Sequence, residues 1–317
     1  MLTGLTWPHV ALLLAAGVLL DLLLGEARRY HPLIGFGNLA YALERKLNRG
    51  RRRVARGALA WLLAVAPLTI LAACTCGVLG LAAHAIMLYF CIGLRSLRDH
   101  NLPIAQALAR HDLPQARLLT ARIVSRDTAN ADATDLAKAS AESLLENGND
   151  AVFGTLFWFA VAGGPGALLF RLANTLDAMW GYRTERFLDF GRTAARIDDA
   201  LNFIPARLTA LSYVALASSM AGKRRAWHCW RTQAPAWSSP NAGPVMASGA
   251  GALGVALGGP AIYDGEVEQR PPLGLGEPAR AADIERAWRL VANTTWLWLA
   301  CAALSAAACY LGGGAHA

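Results

Sequence analysis

The sequence predicts an all-α, polytopic integral membrane protein with about four to six membrane-embedded helices and cytoplasmic helical loops. Three observations predict it. Of 317 residues, 55% are hydrophobic and only 16% are charged, against roughly a quarter charged in a soluble domain. From Gly57 to Leu94 no Asp, Glu, Lys or Arg occurs, a run long enough for two spans of ~20 residues. Further apolar runs occupy Val10 to Leu24, Ala151 to Phe170, Leu208 to Gly222 and Leu290 to Leu311.

Taken in order, the N-terminus lacks the positively charged region and small-residue cleavage site of a secretory signal, so it is expected to be retained. The first apolar run is interrupted by Asp21. Between residues 26 and 56, Arg45, Lys46, Arg49, Arg51, Arg52, Arg53 and Arg56 outweigh Glu44, which places this basic loop in the cytoplasm. The Gly57 to Leu94 run then forms a helical hairpin bent near Gly77 to Gly80, returning the polar block 95–150 to the same side. A second polar block spans 171–207 and a Gly-rich and surface-loop segment spans 239–289, all within one membrane domain, 1–317. Full crossing by Ala151 to Phe170 would put block 171–207 on the far side. A re-entrant or cavity-lining arrangement of the two middle apolar segments is therefore expected, because irregular backbone at membrane depth is tolerated where protein covers it. The formal net charge of +8 is carried largely by juxtamembrane arginines, which anionic lipid attracts; no nucleic-acid partner is needed to explain it.

The chemistry concentrates where polar clusters abut apolar runs. Ser125, Arg126, Asp127, Thr128 and Asn130 place donors, acceptors and both charge signs within six residues, a candidate ligand site. A helix is predicted from Ala133 to Asn147, capped by Asp132 or Thr134 and stopped at Gly148. If it continues, Glu142, Glu146 and Asp150 share one face at four-residue spacing. Such a stripe suits a hard cation such as Mg²⁺; it also suits a solvated acidic face. In the second block, Asn174 lies three residues from Asp177, and Asp198, Asp199 and Asn202 repeat the arrangement. Beside Arg171, Arg183, Arg196 and Arg207 they form either an anion-and-metal site or interhelical salt bridges.

A third block begins at Ser239-Pro240-Asn241-Ala242-Gly243-Pro244 and runs through five further glycines to Tyr263. That density permits close approach of a ligand or of another helix. Gly265 to Pro278 reads as an irregular surface loop, after which Asp283 opens the last helix. Gly163-Gly164-Pro165-Gly166 and Gly312-Gly313-Gly314 read as bends or a frayed end. The six cysteines contain no CxxC pair and sit mostly in apolar runs, where free thiols behave as small hydrophobes. No HExxH, P-loop or GxSxG motif and no fixed-period repeat occurs.

Several blocks together carry a resemblance. They are Asp21-Leu22-Leu23-Leu24-Gly25 followed by His31-Pro32 and Gly35, IVSRDTAN at 123–130, AESLLENGNDAV at 141–152, FWFA at 157–160, RLANTLDAMWGYR at 171–183, ARIDDALNFIPARLTAL at 195–211, and SPNAGPVMASGAGALGVALGGPAIY at 239–263. In this order across nearly the whole chain, they resemble the adenosylcobinamide-phosphate synthase (CobD/CbiB) family of cobalamin biosynthesis. Two departures are Glu26-Ala27, where an Asp-Pro pair is expected, and Gly148-Asn149 within the ENxxD element.

The resemblance implies an ATP-dependent acid-amine ligase. Its reaction joins the propionate carboxylate of cobyric acid, or its adenosyl form, to aminopropanol or aminopropanol phosphate through an amide. It implies ATP and Mg²⁺, a multi-pass protein of the cell inner membrane with its main motif loops cytoplasmic, and partners among other late corrinoid-assembly membrane enzymes. Under that reading Arg126, Asp127, Asp177, Asp198 and Asp199 are catalytic, and Asp127, Glu142, Glu146 and Asp150 hold metal. Ser125, Thr128, Asn130, Asn147, Asn174, Arg183, Asn202, Arg207, Asn241 and Tyr263 contact substrate, the asparagines matching corrin amides. The alternatives are a non-catalytic membrane sensor or accessory protein of the same superfamily and a small-molecule transporter.

Overall fold

Gly80, with φ of 61°, turns the chain between two apolar helices in a computed structural model that describes residues 4–26, 31–263 and 265–313. The start of the N-terminus, Ala27 of the Glu26-Ala27 departure and Gly314 of the terminal glycine run lie outside the described residues. Among those residues five helical stretches are long and apolar enough to cross a membrane: Trp7–Leu24, Arg53–Leu79, Leu81–Ala109, Ala133–Trp180 and Ala281–Leu311. The protein is an all-α polytopic membrane protein. The chain divides into two compact units: one of residues 1–93, 150–202 and 299–317, the other of 94–149 and 203–298.

The first unit contains helices α1 (Trp7–Leu24), α2 (Pro32–Leu47), α3 (Arg53–Leu79) and α4 (Leu81–Cys91). It also holds α8 (Gly154–Trp180) and the start of α9 (Arg192–Leu216). His31 caps α2, its Nδ1 accepting from the Leu33 N–H at 3.2 Å, and Pro32 fills the first turn, where a missing N–H costs nothing. On α3, Gly57, Ala60, Ala64, Ala72 and Cys76 are buried, whereas Leu62, Leu63, Ile70, Leu71 and Val78 are exposed. Small residues bring backbones together and large apolar ones meet lipid, as expected where lipid removes the usual hydrophobic drive between helices. Leu172, Leu176 and Trp180 of α8 join Phe36, Ala40, Ala60, Ala64 and Phe190 in one core.

The middle apolar segment turns back on itself. Ala162 and Gly163 leave the helical region, Gly163 with φ 61° and ψ −153°, so α8 consists of two helical pieces around a break. The break lies toward the Gly80 end of α3 and α4: the Gly164 N–H donates to His84 Nδ1 at 2.9 Å, and Cys76 and Met87 crowd Gly164. Both outer ends face the other way. Ala151 accepts from the Gly93 N–H beyond the end of α4. Trp180 stacks on Phe190, whose carbonyl lies against Gly57 near the start of α3. Arg53 donates to the Glu185 carbonyl and Asn48 to that of Arg186, so the 181–191 loop shares a side with the basic loop. Within this unit the segment therefore turns back on itself at the Ala162–Gly163 break.

The second unit holds α5 (Leu94–Ala109), α6 (Leu113–Thr120), α7 (Ala133–Gly148), α10 (Met220–Gln233) and α11 (Ala242–Leu253). The later part of α9 and the first part of α12 (Ala281–Gly313) complete its helices. Asp132 caps α7, its Oδ1 accepting from the Asp135 N–H at 2.8 Å. Helix α11 is buried throughout, with Gly249 against Leu145 and Gly251 against the backbone of Ala226; its glycines serve helix packing. Ser239 accepts from the Asn241 and Ala242 N–H groups at its start.

Helix α7 ends at Gly148 as expected, and a π-turn at Asn149–Phe153 follows directly. Two expectations need correction. The Leu208 to Gly222 run is not a separate apolar helix: it is the end of α9 (to Leu216) and, after a break, the first residues of a helix that starts at Met220, and Arg192, Arg196, Asp198, Asp199 and Arg207 keep α9 off the spans given above. The Gly265 to Pro278 segment is not irregular. It supplies β3 (Glu266–Glu268), which pairs antiparallel with β2 (Ala261–Tyr263), and β4 (Pro272–Leu273) and β5 (Glu277–Pro278), which flank β1 (Val255–Gly258). In the register Leu257 faces Leu273 and Val255 faces Glu277.

Candidate active site

Within the second unit, the loop after α6 carries Arg126 toward α7, and the strand segment brings Arg270 to the same carboxylate. Glu142, only 3% exposed, accepts from Arg126 Nη2 at 2.5 Å and from Arg270 Nη1 at 3.0 Å on Oε2. Its Oε1 accepts from the Gly258 N–H at 2.7 Å and from Arg270 Nη2 at 3.3 Å. Two guanidinium groups around one carboxylate leave an excess positive charge, and the Arg126 Nη1 atom is buried without a partner. A buried donor in that condition is costly unless an acceptor arrives, so the site is built to receive an anion.

Two cavities meet at Arg126 and Ala139. One, of about 270 Å³, is lined by Ser125, Arg126, Glu142, Ser143, Glu146, Asn147, Trp237, Tyr263, Glu268 and Arg270 among others. The other, of about 370 Å³, is lined by Arg126, Asp127, Thr128, Asn130, Asp135, Lys138 and Pro260 among others. These volumes suit a side arm or a phosphate chain, not an enclosed macrocycle. The loop is held locally: Asp127 Oδ1 accepts from the Ala129 N–H, the Asp127 N–H donates to the Ile262 carbonyl, and Thr128 donates to the Arg117 carbonyl.

The expected substrate residues Ser125, Asn147 and Tyr263 thus share one cavity and Thr128 and Asn130 the other. Arg270, Trp237 and Lys138 were missed. Arg270 stands as the lone basic residue of 265–278, a signal that a loop reading passes over; its guanidinium lies 5.5 Å from the Trp237 ring centroid.

The expected metal set does not assemble. Among the described residues no group of three or more His, Cys, Asp or Glu is placed to hold a metal ion. Two physical reasons apply. Glu142 is already overcompensated by two arginines, and the π-turn ends the α-helical register before Asp150, so the four-residue stripe does not continue. The residues do not fit Mg²⁺ as that set.

Arg207 and Asn241 meet each other: Arg207 donates from Nη1 to Asn241 Oδ1 at 2.6 Å and from Nη2 to the Pro240 carbonyl, and it stacks 3.6 Å from the Phe203 ring centroid. This is a bridge between α9 and the start of α11.

The first unit gathers the remaining residues. Asp198 accepts from Asn202 at 3.1 Å and from Asn174 at 3.4 Å. Burial and then repulsion from Asp150 and Asp177 hold its carboxyl well above the ordinary range, against those two amide donors. Burial also raises Asp199, which the exposed Arg183 opposes. Asp150 is the common neighbour of Asp177, Asp198 and the α8 residue Arg171.

A profile of the CobD/Cbib protein family matches residues 14–291. The chain belongs to that family. It is 56% identical over 294 residues to the cobalamin biosynthesis protein CobD of Stutzerimonas stutzeri, covering 92% of this chain and 96% of that protein. The cobalamin biosynthesis protein CobD of Chromobacterium violaceum is 52% identical over 316 residues, covering 97% and 99%. That of Mycobacterium tuberculosis strain H37Rv is 39% identical over 287 residues, covering 89% and 91%. No solved structure matches. The motif loop around Arg126 lines both cavities, and the α7 motif around Glu142 lines the smaller one with it.

Proposed function

We propose that this protein forms the amide between the propionate carboxylate of cobyric acid, or its adenosyl form, and aminopropanol or aminopropanol phosphate. The membership of nearly the whole chain in a cobalamin-biosynthesis family supports this reading; the observation that carries the chemistry is the Arg126–Glu142–Arg270 cluster with its surplus positive charge. A carboxylate is a poor electrophile, so it must first be activated, and ATP is the proposed co-substrate. Arg126, Arg270 and Lys138 are the residues to hold a phosphate chain or the propionate and to stabilise charge developing on a transferring group.

The nitrogen must be unprotonated to attack. In the proposed step an ammonium proton passes to a carboxylate among Asp177, Asp198 and Asp199, the freed nitrogen lone pair forms the C–N bond, and the second proton lost from nitrogen goes to the departing phosphate. The bond from the acyl carbon to the activating phosphate oxygen breaks, and the phosphate leaves with the electron pair. A carboxyl held above its ordinary pKa, as Asp198 is, is better matched to that proton than a fully solvated one. The excess of arginine and lysine over acid in residues 45–56 supports a cytoplasmic location for that loop, the compartment that supplies ATP.

The test is incubation of purified, detergent-solubilised protein with adenosylcobyric acid, aminopropanol phosphate, ATP and Mg²⁺, following corrinoid mass. A gain of the aminopropanol phosphate mass only in the complete mixture is expected. Corrinoid binding without product would favour an accessory protein, and gradient-driven uptake by proteoliposomes a transporter.

A further inference from the structure

In the first unit, two interruptions of helix lie side by side. The helix α4 ends at Cys91, Ile92 is extended, and the Gly93 N–H donates to the carbonyl of Ala151 inside the π-turn. Irregular backbone of this kind persists at membrane depth only where protein or a polar cavity covers it, and paired breaks of this kind form substrate sites in other membrane folds. Arg171 sits beside them: seven residues beyond Gly164, it is about 10 Å along the helix from the bend. Asp150 and Glu26 are the carboxylates whose charge it feels. Its Nε atom is buried with no hydrogen-bond partner. On the same α8 stretch Asn174 donates to Asp198, Asp150 and Asp177 repel Asp198, and Asp150 repels Asp177; among the described residues no group of three acids is placed to hold a metal ion.

A guanidinium with an unused buried donor next to mutually repelling carboxylates has the charge pattern of a zwitterion's complement. We infer that Arg171 recognises the phosphate of a phosphorylated amino alcohol, while Asp150, Asp177 and Asp198 receive its ammonium end. This rests on the amide-forming reading above and deepens it: Arg171 becomes the residue that selects the phosphorylated amine over the free one. Phosphate supplies the acceptor that the Nε donor lacks, and the ammonium relieves the repulsion among the carboxylates. Asn174 and Asn202, both donating to Asp198, hold that carboxylate in place.

The test uses full-length protein in detergent with three probes, aminopropanol phosphate, free aminopropanol and isopropyl phosphate, read by calorimetric binding and by the KM for each amine. In Arg171→Gln, the affinity for both phosphate-bearing probes is expected to fall roughly tenfold or more while that for free aminopropanol holds, and Arg171→Lys restores part of the loss. Asp177→Asn is expected to weaken both amines and leave isopropyl phosphate unchanged. The KM for the corrinoid stays constant in each, and thermal midpoints identify any variant that fails to fold. An unchanged preference for the phosphorylated amine in folded Arg171→Gln overturns the assignment. So does Mg²⁺ binding to wild type that Asp177→Asn abolishes with amine binding intact. Amide formation by wild type alongside either result leaves the proposed function standing and removes only this subsite; a wild type that binds aminopropanol phosphate through Arg171 but forms no amide does the reverse.

Discussion

Glu142 has a role that its neighbours define more than its own sequence position. With Arg126 and Arg270 on its two oxygens, it makes the approach of two guanidinium groups tolerable. Glu142→Gln removes the buried charge that both guanidinium groups bond and is expected to destabilise the protein by about 3–5 kcal/mol, measured by denaturant unfolding in detergent. Arg126→Gln leaves Arg270 paired with Glu142, so it should be milder in stability and harsher in catalysis, lowering kcat/KM roughly a hundredfold. Asp198 gives a pH signature. Its carboxyl titrates above the unfolded value, so the folded state holds a proton that the unfolded state has lost. Stability from this group is therefore present at low pH and lost as pH rises from the ordinary carboxylate range through the raised value. Asp198→Asn, which carries no charge to desolvate, should gain in thermal midpoint relative to wild type as pH climbs through that window. A difference that is flat with pH would contradict the assignment of burial as the cause.

Among the elements, α8 and its approach show what the residues disclosed and what they concealed. The glycines and proline at 163–166 signalled a bend, and the bend occurs at Ala162 and Gly163. The polar cluster 125–130 and the tyrosine at 263 were legible as site residues because their types are costly to bury without a purpose. The π-turn at Asn149–Phe153 was not legible: nothing in NDAVF distinguishes it from a continuing α-helix, since the extra residue per turn is imposed by packing, with Gly148 under Tyr213 and Val291. That one residue of register undid the carboxylate stripe. Arg270 was hidden for the opposite reason, because Pro and Gly around it read as a loop while short strand pairings carried it to Glu142 from 128 residues away. The bend itself is testable. At φ 61° and ψ −153° only glycine is unstrained, so Gly163→Ala should cost about 1–3 kcal/mol, seen as a lower midpoint of unfolding, whereas substitution at Gly77, which has open space around it, should cost about 1 kcal/mol or less.

For the molecule as a membrane protein, the decisive property is the side on which its polar loops emerge. The break at Gly163 lies toward the Gly80 turn, and the chain on either side of α8 runs back toward the opposite end of α3. There Glu44 is held by Arg186 at 2.7 and 3.1 Å, so the loop after α8 and the loop after α2 are tied together by an ion pair and by the backbone contacts of Asn48 and Arg53. A chain whose loops after α2 and after α8 emerged on opposite faces could not make these contacts, because about 30 Å of hydrocarbon would separate them. Single cysteines at positions 51, 78 and 189, in a background with the exposed Cys74, Cys301 and Cys309 replaced by serine, test this in sealed vesicles with a membrane-impermeant thiol reagent. Positions 51 and 189 should label from one face and position 78 from the other, with the first pair on the cytoplasmic face as the arginine excess predicts. Labelling of position 189 from the face that reaches position 78 would break the ion pair's topology and with it the re-entrant course of α8; labelling of 51 and 189 together from the periplasmic face would keep the fold and reverse only its orientation.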